Sequence, residues 1–250
     1  MAAASRSVPG SRSARTHRPA DRGVTIFGVG PGDMASARAP DAIPVVHAVT
    51  SEEIVSRPGF VDIASGVMGA LGARGALHLR TGRMSAASMH RMAISLAAAQ
   101  RVTGAWLVIN DRVDLALVVG ARGAQLTTRS LHVGDARLAA PALALGASVH
   151  DLQDGAEAAA EGADWLVAGH VFPTASHPGD PPRGEQLVRA LAAELVVPVI
   201  AIGGIRPEHC RSLRAHGAAG VAVIRGIWDA PNAERAASDY LSAHDDAGDA

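Results

Sequence analysis

The sequence predicts an α/β protein, a single (β/α)8 TIM barrel with a disordered N-terminal extension. Eight short apolar runs alternate with eight Ala- and Leu-rich helical stretches between residues 44 and 245. The apolar runs lack polar alternation, which is typical of parallel strands that are buried on both faces. Their even spacing favours closure into a barrel over an open doubly wound sheet, which is the alternative fold.

Each element follows from local composition. Runs of β-branched and other apolar residues predict strands at 44–49, 76–80, 106–110, 123–126, 144–149, 165–170, 197–202 and 220–224. Stretches rich in Ala and Leu predict helices at 60–71, 85–99, 113–119, 134–139, 152–161, 184–195, 207–216 and 233–243. Pro207 suits a helix start, and Gly162 and Gly217 suit the positions just after helix ends.

Composition excludes several classes of function. Hydrophobic residues make up 48% of the 250 residues but aromatic residues only 3%, so the core must be aliphatic. A net charge of −1 predicts neither a nucleic-acid partner nor an anionic membrane surface. The single cysteine, Cys210, excludes an intrachain disulfide and suits a reducing cytoplasm. The sequence contains no lysine, which excludes Schiff-base chemistry, and no apolar run long enough to span a membrane.

We predict that residues 1–43 form an extension separate from a barrel domain at 44–245. Residues 1–23 are rich in Ser, Arg, Ala and Pro and lack apolar periodicity, which predicts disorder; an organelle transit peptide is the alternative. The segment from Gly28 to Gly32 is similar to a dinucleotide-binding loop, but Asp33 stands where that pattern needs glycine. Residues 28–43 are therefore predicted to be a linker or a cover for the barrel.

The predicted site lies at the carboxyl ends of the strands, where β/α barrels place their chemistry. His170 is the catalytic candidate because imidazole can take and return a proton near neutral pH, with a structural histidine as the alternative. The predicted substrate-binding residues are Arg80, Asn110, Thr174, Ser176, Gly203, Gly204, Ile224, Arg225 and Gly226. No metal ligand set and no cofactor are predicted. A homo-oligomer is left open.

A phosphate group is predicted to bind between the Gly203–Gly204 pair and the Arg225–Gly226 pair. Glycines let backbone N–H groups approach an anion, and the loops after the seventh and eighth strands are the usual phosphate site of this architecture. The alternative for the glycine pair is a simple turn. An ordinary salt bridge is the alternative for Arg80, and capping of the next helix is the alternative for Asp111. His78 is expected to point towards the helices.

The segment from residue 44 to residue 243 resembles the superfamily of thiamine-phosphate synthases and TenI-type proteins. The residues that carry the resemblance are His78-Leu79-Arg80, Ile109-Asn110-Asp111-Arg112-Val113-Asp114, Ser148-Val149-His150, Gly169-His170-Val171-Phe172-Pro173-Thr174, Ala201-Ile202-Gly203-Gly204-Ile205 and Gly220-Val221-Ala222-Val223-Ile224. The synthases join a pyrimidine diphosphate to a thiazole phosphate with magnesium, whereas the other branch, the thiazole tautomerases, isomerises a carboxythiazole phosphate to its aromatic tautomer.

Departures from the synthase pattern favour the tautomerase branch. The synthases carry Gln and Lys where this chain has His78 and Gly82, and acids where it has Arg122 and Ser130. Gly169-His170-Val171-Phe172 is similar to the tautomerase motif, and Arg225 departs from both branches, which usually have serine. The resemblance therefore implies an isomerase of thiamine biosynthesis that acts on a small thiazole phosphate through His170, without magnesium. The alternatives are a thiamine-phosphate synthase and an inert regulator that binds thiazole or thiamine phosphate.

Overall fold

A computed structural model describes residues 1, 42–176 and 178–246, and it confirms the (β/α)8 barrel. The strands are β1 (Val46–Val49), β2 (Gly75–Leu79), β3 (Trp106–Asn110), β4 (Gly123–Leu126), β5 (Ala144–Val149), β6 (Trp165–Gly169), β7 (Val199–Ile202) and β8 (Gly220–Val223). All neighbours pair in parallel, and β8 pairs with β1, which closes the sheet and excludes the open alternative. The predicted disorder of the extension falls on residues that the structure does not describe, apart from Met1 and residues 42–43.

The helices follow the strands in the predicted alternation. They are α1 (Glu52–Val55), α2 (Phe60–Leu71), α3 (Ala86–Thr103), α4 (Val113–Val119), α5 (Val133–Ala139), α6 (Leu152–Ala160), α7 (Gly184–Glu194), α8 (Cys210–Ala215), α9 (Arg225–Trp228) and α10 (Ala233–Asp246). The short helices α1 and α9 were not predicted, and the helix predicted at 207–216 begins with a 3₁₀ turn at Pro207–His209. Within the described ranges, no helix is both long and apolar enough to cross a bilayer.

The barrel interior is organised around the indole of Trp165. This side chain is fully buried, and its ring packs edge-on against Trp106 with 6.4 Å between centroids. A β-carbon at Gly146 would lie 2.1 Å from the indole, so only glycine leaves room for it on the neighbouring strand. The indole Nε1 donates to the Gln125 side-chain oxygen at 2.9 Å, and the Gln125 amide donates to Ser148 Oγ at 3.1 Å. The barrel interior is therefore filled by side chains and closes off the space beneath the carboxyl ends of the strands.

Two aromatic side chains connect the last helices to the mouth of the barrel. Tyr240 on α10 donates its hydroxyl hydrogen to the Ile205 carbonyl at 2.9 Å, just after β7. Trp228 on α9 donates from Nε1 to the Val49 carbonyl at 2.9 Å, at the end of β1. Because buried hydrogen bonds of this kind fix backbone position, the loops after β7 and β8 are held in a defined arrangement.

Candidate active site

A cavity of about 580 Å³ opens at the carboxyl ends of the strands. That volume lies within the usual range for small-molecule sites. The structure brings all ten predicted site residues to its wall: Arg80, Asn110, His170, Thr174, Ser176, Gly203, Gly204, Ile224, Arg225 and Gly226. These residues are far apart in sequence, and the barrel brings them together because every strand ends at the same rim. Their individual roles remain predictions.

The side of the cavity near β7 and β8 presents free backbone donors. Gly203 and Gly204 have φ angles of 104° and 66°, a region that side chains rarely adopt. A β-carbon on Gly204 would lie 2.5 Å from the Pro173 carbonyl oxygen, so glycine is also required by the packing of the loop after β6. Among the described residues, none accepts a hydrogen bond from the backbone N–H of Gly203, Gly204 or Gly226. These donors line the cavity and suit an anion.

His170 lies on the same side of the cavity and is 9% exposed. A β-carbon on Gly203 would lie 2.4 Å from the β-carbon of His170, so the two loops are in close contact. At the end of the neighbouring strand β5, His150 hydrogen-bonds through Nδ1 to the Gly169 carbonyl at 2.9 Å and also lines the cavity. The carbonyl can only accept, so Nδ1 of His150 carries a hydrogen. Each ring thus has a defined place at the site.

A buried pair of histidines forms part of the cavity floor. His47 hydrogen-bonds through Nε2 to the Pro44 carbonyl at 2.7 Å and through Nδ1 to Nε2 of His78 at 2.7 Å. A carbonyl only accepts, so Nε2 of a neutral His47 carries the hydrogen and its Nδ1 accepts from His78. Nδ1 of His78 is then a bare acceptor. Neither this nitrogen nor Asn110 Oδ1 forms a hydrogen bond of normal geometry in the described part of the chain, although the Asn110 side chain lies close enough to oppose part of the lowering of the pKa of His78.

The predicted direction of His78 is wrong. Its side chain is 1% exposed and lines the cavity instead of facing the helices. Side chains alternate along a strand, so residues 78 and 80 share a face, and a mouth-facing Arg80 already implied an inward His78. The floor therefore offers a ligand hydrogen-bond acceptors that sequence reasoning had placed elsewhere.

Burial holds both histidines neutral at ordinary pH. It lowers the pKa of His47 from 6.5 to about 4, partly opposed by the hydrogen bond to Pro44. It lowers the pKa of His78 as well, and the neighbouring His47 adds to that effect. As the pH falls, the unfolded chain binds protons first, at its ordinary pKa near 6.5, so the folded state loses relative stability until the folded pKa is reached.

We expect the free energy of unfolding to fall by about 3 kcal/mol through His47 alone between pH 6.5 and pH 4, at about 1.4 kcal/mol per pKa unit. His47→Gln cannot take up a proton there, so its stability should decline less steeply over this window. Urea unfolding at several pH values measures the difference. His216→Gln, at the end of α8, is the matched control and should follow the wild-type curve. Parallel curves for wild type and His47→Gln would contradict the effect.

Behind the rim, the carboxylate of Asp111 at the end of β3 is held by two hydroxyl groups of the loop after β4. Asp111 has a φ angle of 63°, and its Oδ1 accepts hydrogen bonds from the hydroxyl of Thr127 at 2.6 Å and from that of Ser130. The predicted alternative, capping of α4 by Asp111, is wrong because Arg112 occupies the cap position and no side-chain cap bond is formed. Thr127, Thr128 and Arg129 line the cavity in front of this carboxylate.

Sequence reasoning missed several residues of the wall. His47 supports the floor, while Arg129, Arg206 and Tyr240 line the cavity itself. Arg129 and Arg206 follow strand ends and could have been found by the same rule as Arg80. Tyr240 belongs to the last helix, and only the tertiary structure brings it to the cavity.

The model of the thiamine monophosphate synthase family matches residues 47–227. This match covers most of the barrel and includes nearly all of the cavity wall. The chain belongs to this family. It is therefore a member of an enzyme family of thiamine biosynthesis whose substrates are small and carry phosphate, and the predicted superfamily is confirmed.

Relatives agree with this assignment. The thiamine-phosphate synthase of Chlorobium luteolum is 38% identical over 66% of this chain and 79% of its own length. That of Methanoculleus marisnigri is 32% identical over 79% of this chain and 95% of its own. A solved structure of a thiamine phosphate pyrophosphorylase from Pyrococcus furiosus superposes with a TM-score of 0.72 at 29% identity, over 81% of this chain and 96% of that one.

The predicted thiazole tautomerase function is wrong, and the isomerase class is not supported. The relatives at 32–42% identity are named thiamine-phosphate synthases. The motif that favoured the tautomerase is largely explained by packing. A β-carbon on Gly169 would lie 2.4 Å from the Ile202 carbonyl oxygen, Val171 is buried, and Phe172 lies against His209 with ring centroids 4.1 Å apart. Three of its four residues thus satisfy the fold and do not discriminate between reactions.

Proposed function

We propose that this protein is a thiamine-phosphate synthase, a transferase that joins a pyrimidine diphosphate to a thiazole phosphate. The observation that carries the proposal is the 32–42% identity to enzymes of that name across the barrel that forms the cavity. The volume of about 580 Å³ supports it, because two small substrates must be held side by side for bond formation.

The thiazole phosphate is assigned to the side of β7 and β8. Its phosphate would accept hydrogen bonds from the free N–H groups of Gly203, Gly204 and Gly226. Arg225, the first residue of α9, is exposed at the same edge and adds positive charge. Backbone donors that are fixed before binding lose little freedom when the anion arrives, which makes them efficient ligands.

The pyrimidine diphosphate is assigned to the rest of the cavity. Its ring would lie on the polar floor, where His78 Nδ1 and Asn110 Oδ1 can accept hydrogen bonds from ring substituents. Joining the two substrates displaces the diphosphate, so negative charge increases on the leaving group. An electropositive rim stabilises that charge more in the transition state than in the bound substrate. His170 is proposed to contact substrate beside the phosphate loop.

Magnesium is the ion that the family resemblance implies, and the residues present do not fit it well. Within residues 42–176 and 178–246, no group of three or more His, Cys, Asp or Glu side chains is arranged to hold a metal. Of the lining residues that the structure describes, none carries a carboxylate. Asp111 is the nearest candidate, but two hydroxyls already donate to its Oδ1, and the adjacent rim carries Arg129. No step of the proposed reaction therefore depends on the ion.

The proposal is tested by incubating the full chain with both substrates and measuring thiamine phosphate. We expect steady formation of product, with a kcat in the ordinary enzymatic range of about 1–10³ per second or somewhat below it. The assay is run with magnesium and with a chelator. A folded protein that binds thiamine phosphate but forms none under either condition would replace the proposal with the inert-regulator alternative.

A further inference from the structure

The described rim of the cavity is rich in arginine. Among the described residues, four arginines line it, namely Arg80, Arg129, Arg206 and Arg225, and none of the described lining residues is an aspartate or a glutamate. Arg206 lies 3.7 Å from Glu208. The side chains of Arg80, Arg129 and Arg225 have no carboxylate partner in the part of the chain that the structure describes, and all three are exposed.

Several arginines elsewhere on the surface are paired with carboxylates. Arg57 pairs with Asp229 at 2.6 Å, Arg74 pairs with Asp245 at 2.5 Å and Arg112 pairs with Asp114 at 2.7 Å. Other exposed arginines, such as Arg101 and Arg211, also lack a carboxylate partner in the described part of the chain, so Arg80, Arg129 and Arg225 are distinguished by their place around a cavity that also contains free backbone donors. Positive charges around one cavity favour the binding of a polyanion.

The positive groups are divided between two sides of the barrel. Arg225 follows β8, on the side with the free glycine donors, while Arg129 follows β4. In a closed order of eight strands, β4 lies four strands from β8 in either direction, so these two sides face each other across the mouth. Arg80 follows β2 and lies between them. Two separate anionic groups can therefore be held at once.

We propose that Arg129 and Arg80 bind a diphosphate directly, in place of a magnesium ion held by the protein. This inference rests on the proposed function for the identity of the anion. Guanidinium groups donate two parallel hydrogen bonds to phosphate oxygens and stay charged at any working pH, so they neutralise a diphosphate without a metal. The hydroxyls of Thr127 and Thr128, which line the same wall, supply further donors.

The loop after β4 explains why a metal is not needed there. Ser130 on this loop donates its hydroxyl hydrogen to the carboxylate of Asp111, which follows the neighbouring strand β3, and Thr127 donates to the same oxygen, so a cation here would meet one carboxylate whose Oδ1 is already occupied by two donors. Arg129 stands between Thr127 and Ser130, both of which contact Asp111. A guanidinium in that position raises the energy of a nearby cation and lowers that of an anion.

The test uses inorganic diphosphate as the probe and isothermal titration of the full chain as the measurement. Wild type should bind diphosphate in excess chelator. Its affinity should lie within about threefold of the affinity measured with magnesium, after correction for the diphosphate that magnesium complexes in solution. Arg129→Ala should weaken binding about tenfold or more, because a charge-assisted pair of hydrogen bonds is lost. Arg101→Ala, on the exposed end of α3, makes the same change in net charge outside the cavity and should bind as wild type does.

Two further variants separate arginine from metal. Ser130→Asp places a second carboxylate beside Asp111 and should make diphosphate binding at least tenfold stronger with magnesium than without it. Asp111→Asn, which tolerates the positive φ angle, should leave wild-type binding within about threefold. Thermal melting confirms that each variant is folded.

Wild-type binding that requires magnesium and is lost in Asp111→Asn would overturn the inference, as would unchanged binding in Arg129→Ala. These outcomes are independent of the proposed function. Synthase turnover that depends on Asp111 and magnesium would leave the function in place and reject the arginine site. Metal-free diphosphate binding without synthase turnover would support the arginine site and reject the proposed function.

Discussion

Gly204→Ala should reduce kcat/KM for thiamine phosphate formation by about 100-fold or more. The added β-carbon would lie 2.5 Å from the Pro173 carbonyl oxygen and 3.0 Å from that of Phe172. Both contacts are with backbone atoms, so the loop after β6 must move, and it carries His170 with it. A displacement of about 1 Å at a reacting centre can by itself cost about 10²-fold in rate. The N–H of residue 204 would also lose its direction towards the phosphate.

Gly59→Ala is the matched control for backbone strain. Gly59 has a φ angle of 70°, close to the 66° of Gly204, but a β-carbon there would meet no atom within 4 Å. We expect this variant to lose about 1 kcal/mol of stability from the positive φ angle and to keep its kcat/KM. Steady-state kinetics and thermal melting of both variants give the comparison. Equal turnover in Gly204→Ala and wild type would show that the glycine loops do not hold the substrate phosphate.

Trp165→Ala should destabilise the fold by about 3–5 kcal/mol, the usual cost of truncating a buried aromatic side chain. Trp165 is fully buried at the centre of the barrel, and no neighbouring side chain can fill its volume without moving. The substitution also removes the donor to Gln125, whose amide lines the cavity, so activity should fall in the protein that remains folded.

Trp165→Phe separates volume from the hydrogen bond. It keeps an aromatic ring in the barrel but leaves the Gln125 oxygen without the indole donor, which should cost about 1–3 kcal/mol. Denaturant unfolding of both variants measures these values. A loss below about 1 kcal/mol for Trp165→Ala would show that the interior is not organised around the indole.

Much of the barrel could be predicted because its physics is local. Strands buried on both faces must be apolar throughout, and each is followed by a helix that covers it, so the alternation is visible without tertiary information. The short helix α9 could not be predicted in this way. It has four residues, and its place depends on contacts such as the hydrogen bond from Trp228 to Val49, at the end of the neighbouring strand β1.

The site was predictable in position and only partly in chemistry. Arg80, Gly203 and Arg225 follow strand ends, and a closed barrel brings strand ends together whatever the sequence. The direction of His78 was missed although the alternation along β2 determines it. The hydrogen bonds of Asp111 depend on a loop sixteen to nineteen residues away and have no local signal.

The choice of reaction failed for a different reason. The motif from Gly169 to Phe172 was interpreted as chemistry, although most of it is required by contacts with Ile202 and His209. A residue type that satisfies both packing and catalysis cannot tell the two apart from a single sequence. The relatives favour the synthase because the similarity extends over most of the barrel and not over one loop.

The central claim is that this cavity joins two phosphorylated substrates and releases diphosphate. The most direct test measures inorganic diphosphate and thiamine phosphate together, from one reaction of the full chain with a pyrimidine diphosphate and a thiazole phosphate. We expect the two products to appear in equal amounts and Gly204→Ala to slow the formation of both in parallel. Diphosphate released without thiamine phosphate, or neither product from a folded protein, would contradict this claim.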